Sequence, residues 1–146
     1  MTIRRKLGVD KILEKALRKN RVLSGMSAGS ICWFDYGNSD SRKFTSKSTQ
    51  LIKVSGLKFI KALHCPHYDV EPHRQEDLKR MMKTSPLVAI AIENNCAIQI
   101  ENKQYRIIAS KKNAKAYKIY RKNQHYFKEE IKQYKEFLPL DKLIAK

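Results

Sequence analysis

The sequence is poor in the residues that crosslink or punctuate small proteins. Its 146 residues include three cysteines, four prolines, five glycines and one tryptophan. The cysteines, Cys32, Cys65 and Cys96, are odd in number and widely spaced, and no two form a C-x-x-C pair. This pattern argues against a disulfide or zinc framework and predicts reduced thiols in a cytoplasmic protein. Cys65 lies close to two histidines, and we interpret it as a small buried residue rather than a nucleophile.

Long apolar segments are also missing. No run is long enough to span a bilayer, and the first residues do not have the pattern of a signal peptide, so we expect no membrane contact. A hydrophobic content of 42% over 146 residues is enough for one domain with a core. We therefore predict one partial catalytic domain over residues 1–146, with 110–146 as a basic C-terminal extension of that domain.

Acidic residues are scarce. The chain has 14 aspartates and glutamates and 31 lysines and arginines, which gives a formal net charge of +17. Such a charge raises the prospect of a polyanion partner. The lysines are spread along the chain without glycine–aromatic interleaving, a distribution that favours a solvated basic surface over nucleic-acid binding.

One stretch is rich in small residues and carries a chemical pattern. Residues 25–29 read Gly-Met-Ser-Ala-Gly, which is G-x-S-x-G, and a short apolar run precedes them. A strand that turns sharply into a helix at a serine is a nucleophile elbow, and glycines keep side chains out of that turn. The pattern predicts that Ser27 is a nucleophile, that Ala28 donates its amide to an oxyanion, and that side chains at Gly25 or Gly29 would collide with the backbone. The alternative is an ordinary Gly/Ser-rich turn before a helix.

Apolar periodicity predicts the surrounding elements. Before residue 65 these are a helix over 9–20 with one buried face, a strand over 21–24, an elbow helix, a polar loop over 35–41, an exposed loop over 43–50, and strands over 51–54 and 59–64. After it come a helix over 73–84, a buried strand over 87–92, a hairpin of 96–101 and 105–109, an edge strand over 116–120, a basic helix over 124–137 and a helical turn or frayed end beyond Pro139.

Three polar residues follow predicted strands at their carboxyl ends: Ser27, His67 and Glu93. Active sites of α/β sheets lie at this edge. A serine needs an imidazole to take its proton, and the imidazole needs a partner that fixes its tautomer. The order Ser, His, Glu differs from that of α/β-hydrolases and indicates another fold. Individually, the histidine could be a loop residue and the glutamate a turn residue.

The same motifs carry a family resemblance. Residues 25–30 (Gly-Met-Ser-Ala-Gly-Ser), 65–69 (Cys-Pro-His-Tyr-Asp) and 91–94 (Ala-Ile-Glu-Asn) together resemble the peptidase E (aspartyl dipeptidase) and cyanophycinase family of serine peptidases. Residues 30–35 and 66–74 most resemble its uncharacterised bacterial peptidase E-like branch. The fold this implies is α/β, a flavodoxin-like three-layer sandwich of the class I glutamine amidotransferase-like type, here with an antiparallel meander and a basic helix at the C-terminal end.

The resemblance also implies roles. Ser27 would be the nucleophile, His67 the general base, Glu93 the orienting acid and Ala28 an oxyanion-hole donor, with small peptides, including aspartyl dipeptides, cleaved through an acyl-enzyme. No cofactor is implied. Two more residues are candidates for substrate binding, Asp69 and Arg74, although Arg74 on a solvated helix end is an equal alternative.

A metal site is not expected. His64 and His73 could join His67 around a metal ion, but no carboxylate lies at a supporting spacing, and structural or surface roles suit these residues better.

The sequence departs from the family at its start. Relatives have strands, helices and a glycine-rich turn before the helix at Val9, and that turn supplies a second oxyanion donor. We therefore expect an N-terminally truncated domain with an open sheet edge, which self-associates or takes up a complementing N-terminal fragment. Loss of one oxyanion donor costs on the order of a hundredfold in rate. The alternative function is a non-catalytic remnant or polyanion-binding module.

Overall fold

The fold is α/β with a mixed central sheet, given by a computed structural model that describes residues 6–71 and 73–146. The helices are α1 (Val9–Arg18), α2 (Ala28–Ile31), α3 (Arg42–Thr45), α4 (Arg74–Met82) and α5 (Leu140–Ile144). The strands are β1 (Phe34–Ser39), β2 (Ile52–Ser55), β3 (Ile60–Cys65), β4 (Ala89–Ile92), β5 (Cys96–Glu101), β6 (Gln104–Ala109), β7 (Ala116–Lys122), β8 (His125–Ile131) and β9 (Leu138–Pro139). Within the described ranges, no helix is long and apolar enough to cross a membrane.

The central sheet has six strands in the order β2-β1-β3-β4-β7-β8. Strands β1, β3 and β4 are parallel, and β2 and β7–β8 add antiparallel pairs at the two sides. The predicted strands over 51–54, 59–64 and 87–92 are confirmed as β2, β3 and β4, with small shifts of their ends. The carboxyl ends of β3 and β4 therefore lie side by side, where His67 and Glu93 follow.

Both faces of this sheet are covered, because β4 alternates between two apolar clusters. Ile90 and Ile92 point to a cluster shared with β5, β6 and α5, whereas Ala89 and Ala91 point to a cluster that contains Leu78 of α4. All four residues of β4 are buried. The helix predicted over 73–84 is confirmed as α4, and its layer, the central sheet and the smaller sheet make three layers.

The smaller sheet contains β5, β6 and β9, all antiparallel. Its hairpin runs in register from the pair Cys96 and Ala109 to the pair Glu101 and Gln104. The turn residues Asn102 and Lys103 have positive φ angles of 48° and 61°, as a two-residue hairpin turn requires. The predicted antiparallel meander is confirmed, as is the helical turn after Pro139.

The basic helix predicted over 124–137 is wrong. Residues His125–Ile131 form β8, which pairs antiparallel with β7. Asn123 and Gln124 both have positive φ, 48° and 65°, so the chain reverses in a tight hairpin where a helix would need negative φ. Strand β7 consequently lies between β4 and β8 and is not the edge strand that the sequence predicts.

The polar loop predicted over 35–41 is also wrong, since most of it is β1. This strand lies between β2 and β3, and Asn38 within it is fully buried. The Asn38 side chain donates to the Arg74 carbonyl at 3.3 Å, so the fold supplies a polar partner. Gly37 has no room for a side chain, because a Cβ there would lie 2.2 Å from Ile31. Helix α2 therefore packs directly on β1 at this glycine.

The helix predicted over 9–20 is confirmed as α1, but the prediction that one of its faces is buried is wrong. No residue of α1 is buried, and the Ile12 side chain is 66% exposed. Residues 21–24 are irregular rather than a strand, and Val22 is 93% exposed. A strand needs a neighbour for its backbone hydrogen bonds. Among the described residues no strand pairs with 21–24, and none of them buries the apolar face of α1.

Candidate active site

Ser27 lies at the turn into α2 in a strained backbone conformation. Its φ is 53° and its ψ is −121°, a region that residues with side chains rarely occupy. The Ile31 amide donates to the Ser27 carbonyl at 3.1 Å, and the Gly29 amide donates to the Met26 carbonyl at 2.8 Å. The Ser27 hydroxyl forms no hydrogen bond with another described residue, and the side chain is half-buried. The local geometry is a strained turn into α2, and among the described residues no partner binds the Ser27 hydroxyl.

The two glycines of the elbow differ in how much space the structure leaves for a side chain. A Cβ on Gly25 would lie 2.3 Å from the Gly29 carbonyl oxygen, which is a severe collision. A Cβ on Gly29 would meet nothing within 4 Å. The sequence-based expectation is therefore confirmed for Gly25 and wrong for Gly29, because α2 turns the Gly29 Cα away from neighbouring atoms.

A hydrogen bond between Ser30 and the buried His64 fastens the elbow to β3. Ser30 Oγ lies 2.7 Å from the Ser27 carbonyl and 3.0 Å from His64 Nε2, and His64 Nδ1 lies 3.1 Å from the Ile90 carbonyl. The His64 ring stacks on Phe34 and is 2% exposed. Burial lowers the pKa of His64 to about 4, so the ring is neutral. Through the Ser30 hydroxyl, this pair anchors the carbonyl of Ser27 to His64.

His67 lies in the turn after β3, beside the turn after β4. Its φ is 54°, and its Nδ1 lies 2.6 Å from Oδ1 of Asn94. The Tyr68 amide donates to the Ile92 carbonyl at 3.1 Å, and the Asn94 amide donates to Asp69 Oδ1 at 2.9 Å. Three hydrogen bonds thus hold the two turns together. His67 itself is half-buried.

Glu93 directly follows β4 and is held by residues at the start of β7. Its Oε2 accepts from the Lys115 amide at 2.8 Å, and its Oε1 accepts from the Tyr117 hydroxyl at 3.1 Å. Burial, and then the hydrogen bond to Glu93, raises the pKa of Tyr117 to about 12, so the phenol keeps its proton and donates. Among the described residues no hydrogen bond joins Ser27, His67 and Glu93 to one another.

The two candidate substrate-binding residues have partners inside the fold. Arg74 is 2% exposed, with Nε and Nη2 on the Glu71 carboxylate and Nη1 on the Asn38 carbonyl at 2.9 Å. The solvated helix end considered for Arg74 is therefore wrong, and its guanidinium fastens α4 to β1. Asp69 is exposed, and one of its oxygens accepts the Asn94 amide.

Sequence reasoning missed Ser30, His64 and Asn94 as members of this site. Ser30 lies one helical turn after Ser27, and that spacing was the available signal for contact between the two. Asn94 is adjacent to Glu93, and a turn can direct either of two neighbouring side chains toward the histidine. No sequence pattern distinguishes them.

Cysteine thiols and metal-ligating side chains are the other candidate reactive groups near the site. Burial raises the pKa of Cys65 to about 12 and keeps it a protonated thiol, which supports its interpretation as a buried core residue. Over residues 6–71 and 73–146, no group of three or more His, Cys, Asp or Glu side chains could hold a metal ion.

Comparisons with known proteins cover the elbow and both turns. The model of peptidase family S51 matches residues 1–108. An uncharacterized peptidase of Bacillus subtilis (strain 168), YgaJ, is 32% identical over 114 residues, which are 77% of this chain and 47% of the relative. The chain thus spans about half the length of the curated relative that it matches. With a family match over most of its length, the chain belongs to peptidase family S51, the peptidase E-like family that its motifs resemble.

Proposed function

We propose that this protein is a serine-type peptidase in which Ser27 is the nucleophile and His67 the general base. The observation that carries the proposal is the strained backbone of Ser27, whose hydroxyl has no hydrogen-bond partner among the described residues, in a chain that belongs to a peptidase family. Strained residues of this kind concentrate at active sites. The cost of holding Ser27 at a positive φ is explained if the reaction requires its hydroxyl in that place.

The proposed reaction is acyl transfer to serine followed by hydrolysis. Ser27 Oγ attacks the carbonyl carbon of a peptide bond while His67 Nε2 takes the hydroxyl proton. The oxyanion accepts a hydrogen bond from the Ala28 amide, and His67 returns the proton to the leaving amine. Water then cleaves the ester by the same path in reverse order, which frees Ser27. Glu93 is the proposed third member of the triad, although its carboxylate accepts hydrogen bonds from the Lys115 amide and the Tyr117 hydroxyl in this structure.

Small peptides are the proposed substrates, with aspartyl dipeptides the first to test. An aspartyl side chain calls for a cation in the pocket. Arg74 is bound to Glu71 in this structure, so a lysine or a residue on another segment would have to supply it. The proposed fold type is the class I glutamine amidotransferase-like sandwich, to which the three layers and the parallel strands β1, β3 and β4 correspond.

We further propose that the site is completed by a covering polypeptide, either a complementing N-terminal fragment or a second copy of the chain. Two observations support this: the match covers 47% of YgaJ, and no residue of α1 is buried by the described part of the chain. Ala28 gives one oxyanion donor, and a second would come from the covering segment. The isolated chain is then expected to react slowly.

A fluorophosphonate probe tests the proposed nucleophile. The wild-type chain, alone and with a polypeptide that corresponds to the N-terminal half of YgaJ, is expected to form a covalent adduct. Ser27→Ala should abolish the adduct in both conditions. Ser24→Ala is the matched control, because Ser24 is exposed and lies three residues away, and it should label normally. Absence of labelling even with the added polypeptide would overturn the proposal and leave a non-catalytic role.

A further inference from the structure

We infer that Lys128 binds a carboxylate group of the peptide substrate, from a position beside the turns that carry His67 and Glu93. The inference rests on the proposed function and names the cation that recognises an acidic peptide. Lys128 is an exposed residue of β8. Its ammonium lies over two tyrosine rings, 4.0 Å from the ring centroid of Tyr117 and 4.7 Å from that of Tyr68.

The two rings form an angled support for the ammonium. Their centroids are 5.4 Å apart, and their planes are inclined by 55°. The face of an aromatic ring attracts a cation, so the rings restrain the end of a side chain that is otherwise flexible. Burial raises the pKa of both phenols, that of Tyr117 to about 12, so both rings stay neutral and neither cancels the charge of Lys128.

Both rings are attached to the turns of the candidate site. Tyr68 directly follows His67 in the turn after β3. The Tyr117 hydroxyl donates to Oε1 of Glu93, the first residue after β4, at 3.1 Å. The ammonium over these rings is therefore held beside the carboxyl ends of β3 and β4, the edge of the sheet at which a substrate of this fold class binds.

The ammonium of Lys128 has no anionic partner among the described residues. The two carboxylates that follow it along β8 are engaged elsewhere, since Glu129 accepts the Tyr120 hydroxyl and Glu130 lies 2.7 Å from Lys115 Nζ. An ammonium has three N–H donors, and the ring faces leave its solvent side open. A carboxylate from outside the fold can therefore accept charge-assisted hydrogen bonds there.

Other cations around the site lack this freedom. Arg74 is bound to the Glu71 carboxylate, and Lys115 is bound to that of Glu130. Lys128 lies beyond residues 1–108, the part of the chain that the family model matches. The assignment therefore comes from the packing of the β7–β8 hairpin in this chain and does not follow from membership of the family.

Binding can be measured without catalysis in the full chain that carries Ser27→Ala, alone and with the N-terminal half of YgaJ. Proton–nitrogen correlation spectra follow the titration with aspartyl-leucine. Lys128→Met should weaken binding by about 5- to 10-fold, because it removes one charge-assisted contact at an exposed position. Lys128→Arg should retain binding, since a guanidinium also stacks on aromatic rings and binds carboxylates. Lys122→Met, at an exposed lysine of the same hairpin, is the matched control and should bind as before.

Two further ligands identify which carboxylate is bound. Asparaginyl-leucine lacks the side-chain carboxylate, and the amide of aspartyl-leucine lacks the C-terminal one. The ligand that binds equally to the Lys128→Met and unsubstituted chains reveals the missing group, and either result supports the assignment. Equal weakening of all three ligands by Lys128→Met would indicate a structural effect and overturn it. Failure of aspartyl-leucine to bind either preparation would also overturn it.

Labelling of Ser27 by a fluorophosphonate separates this inference from the proposed function. If Ser27 is never labelled but Lys128→Met weakens the binding of aspartyl-leucine, the peptidase proposal fails and the carboxylate site stands. If Ser27 is labelled and Lys128→Met binds aspartyl-leucine as tightly as Lys122→Met does, the peptidase proposal stands and the role of Lys128 is overturned.

Discussion

Two residues of the candidate site hold backbone angles that cost free energy. Ser27 and His67 have φ values of 53° and 54°, and neither is glycine. Each such residue costs about 1–3 kcal/mol relative to a relaxed backbone. Hydrogen bonds around the elbow and between the two turns hold these angles in place. The fold is thus less stable than it would be with relaxed backbone angles at the two positions that place the Ser27 hydroxyl and the His67 imidazole.

Replacing Ser27 with glycine should therefore stabilise the fold while it removes the nucleophile. Glycine occupies positive φ without strain, so Ser27→Gly should raise the free energy of unfolding by about 1 kcal/mol. Urea denaturation measures this change. Ser24→Gly is the control and should give no gain, because Ser24 does not have a positive φ. A loss of stability in Ser27→Gly would argue that the angle is not strained.

His64 should make the stability of the protein depend on pH. Its pKa is lowered from 6.5 to about 4 by burial, so between those values the unfolded chain takes up a proton that the folded chain does not. The free energy of unfolding contributed by His64 is complete above pH 6.5 and falls as the pH drops toward 4, by up to about 3 kcal/mol.

Urea denaturation at several pH values isolates this contribution. His64→Gln should lose less stability than the wild type between pH 6.5 and 4, since the other titrating groups are shared. His125→Gln, at an exposed histidine on β8, should follow the wild-type curve. Parallel curves for His64→Gln and the wild type would contradict the buried, neutral state of this ring.

At the scale of elements, the elbow makes the most specific demand on sequence. Gly25→Ala should lower the free energy of unfolding by about 1–3 kcal/mol, because its Cβ would overlap the Gly29 carbonyl at 2.3 Å. Gly29→Ala is the matched control. It lies in α2 with open space around it and should gain up to about 1 kcal/mol from helix propensity. Equal effects at the two glycines, by thermal or urea unfolding, would contradict the elbow geometry.

Elements with an apolar period could be predicted from sequence, and polar strands could not. Strands β3 and β4 and the helix α4 bury regular apolar sides, which is the signal that periodicity reads. Strands β1 and β8 are rich in polar residues and form because neighbours β3 and β7 supply a ladder. Local sequence does not contain that information, since it lies in distant partners.

The candidate site follows the same division. The places of Ser27, before a helix, and of His67, after β3, could be predicted because they are local features of the sequence, and the catalytic roles of both residues stay predictions. The partner of His67 was not, since Asn94 and Glu93 are adjacent and only the turn decides which faces the ring. The placement of Glu93 depends on β7, more than twenty residues later in the chain, and β7 was predicted with a different position in the sheet.

At the scale of the whole molecule, exposed apolar side chains in and around α1 accompany a high positive charge. Leu7, Ile12 and Leu17 are 72%, 66% and 47% exposed, and Met26 near the elbow is 81% exposed. The net charge of +17 opposes contact between copies of the chain. Apolar attraction and charge repulsion therefore compete, and salt decides between them by screening the repulsion.

We expect the isolated chain to self-associate as salt rises from 0.1 M to 0.5 M. The Debye length is about 10 Å at 0.1 M and shorter above it, so repulsion weakens while apolar contact does not. Light scattering coupled to size-exclusion chromatography measures the mass. Ile12→Lys should reduce association, and Phe44→Ser, at an even more exposed apolar residue outside α1, should not. A monodisperse wild-type monomer at both salt concentrations would contradict this expectation.

The central claim is that Ser27 is a nucleophile activated by His67, and the most direct test is the position of a covalent adduct. The full chain, with the covering polypeptide present, is treated with a fluorophosphonate probe, digested and mapped by mass spectrometry. We predict a single adduct on Ser27 that is suppressed in His67→Ala and unaffected in His73→Ala. His73 is the control because it is an exposed histidine close to His67 in the sequence. An adduct on Ser24 or Ser30, or labelling of Ser27 that is equal in His67→Ala and the wild type, would contradict the account.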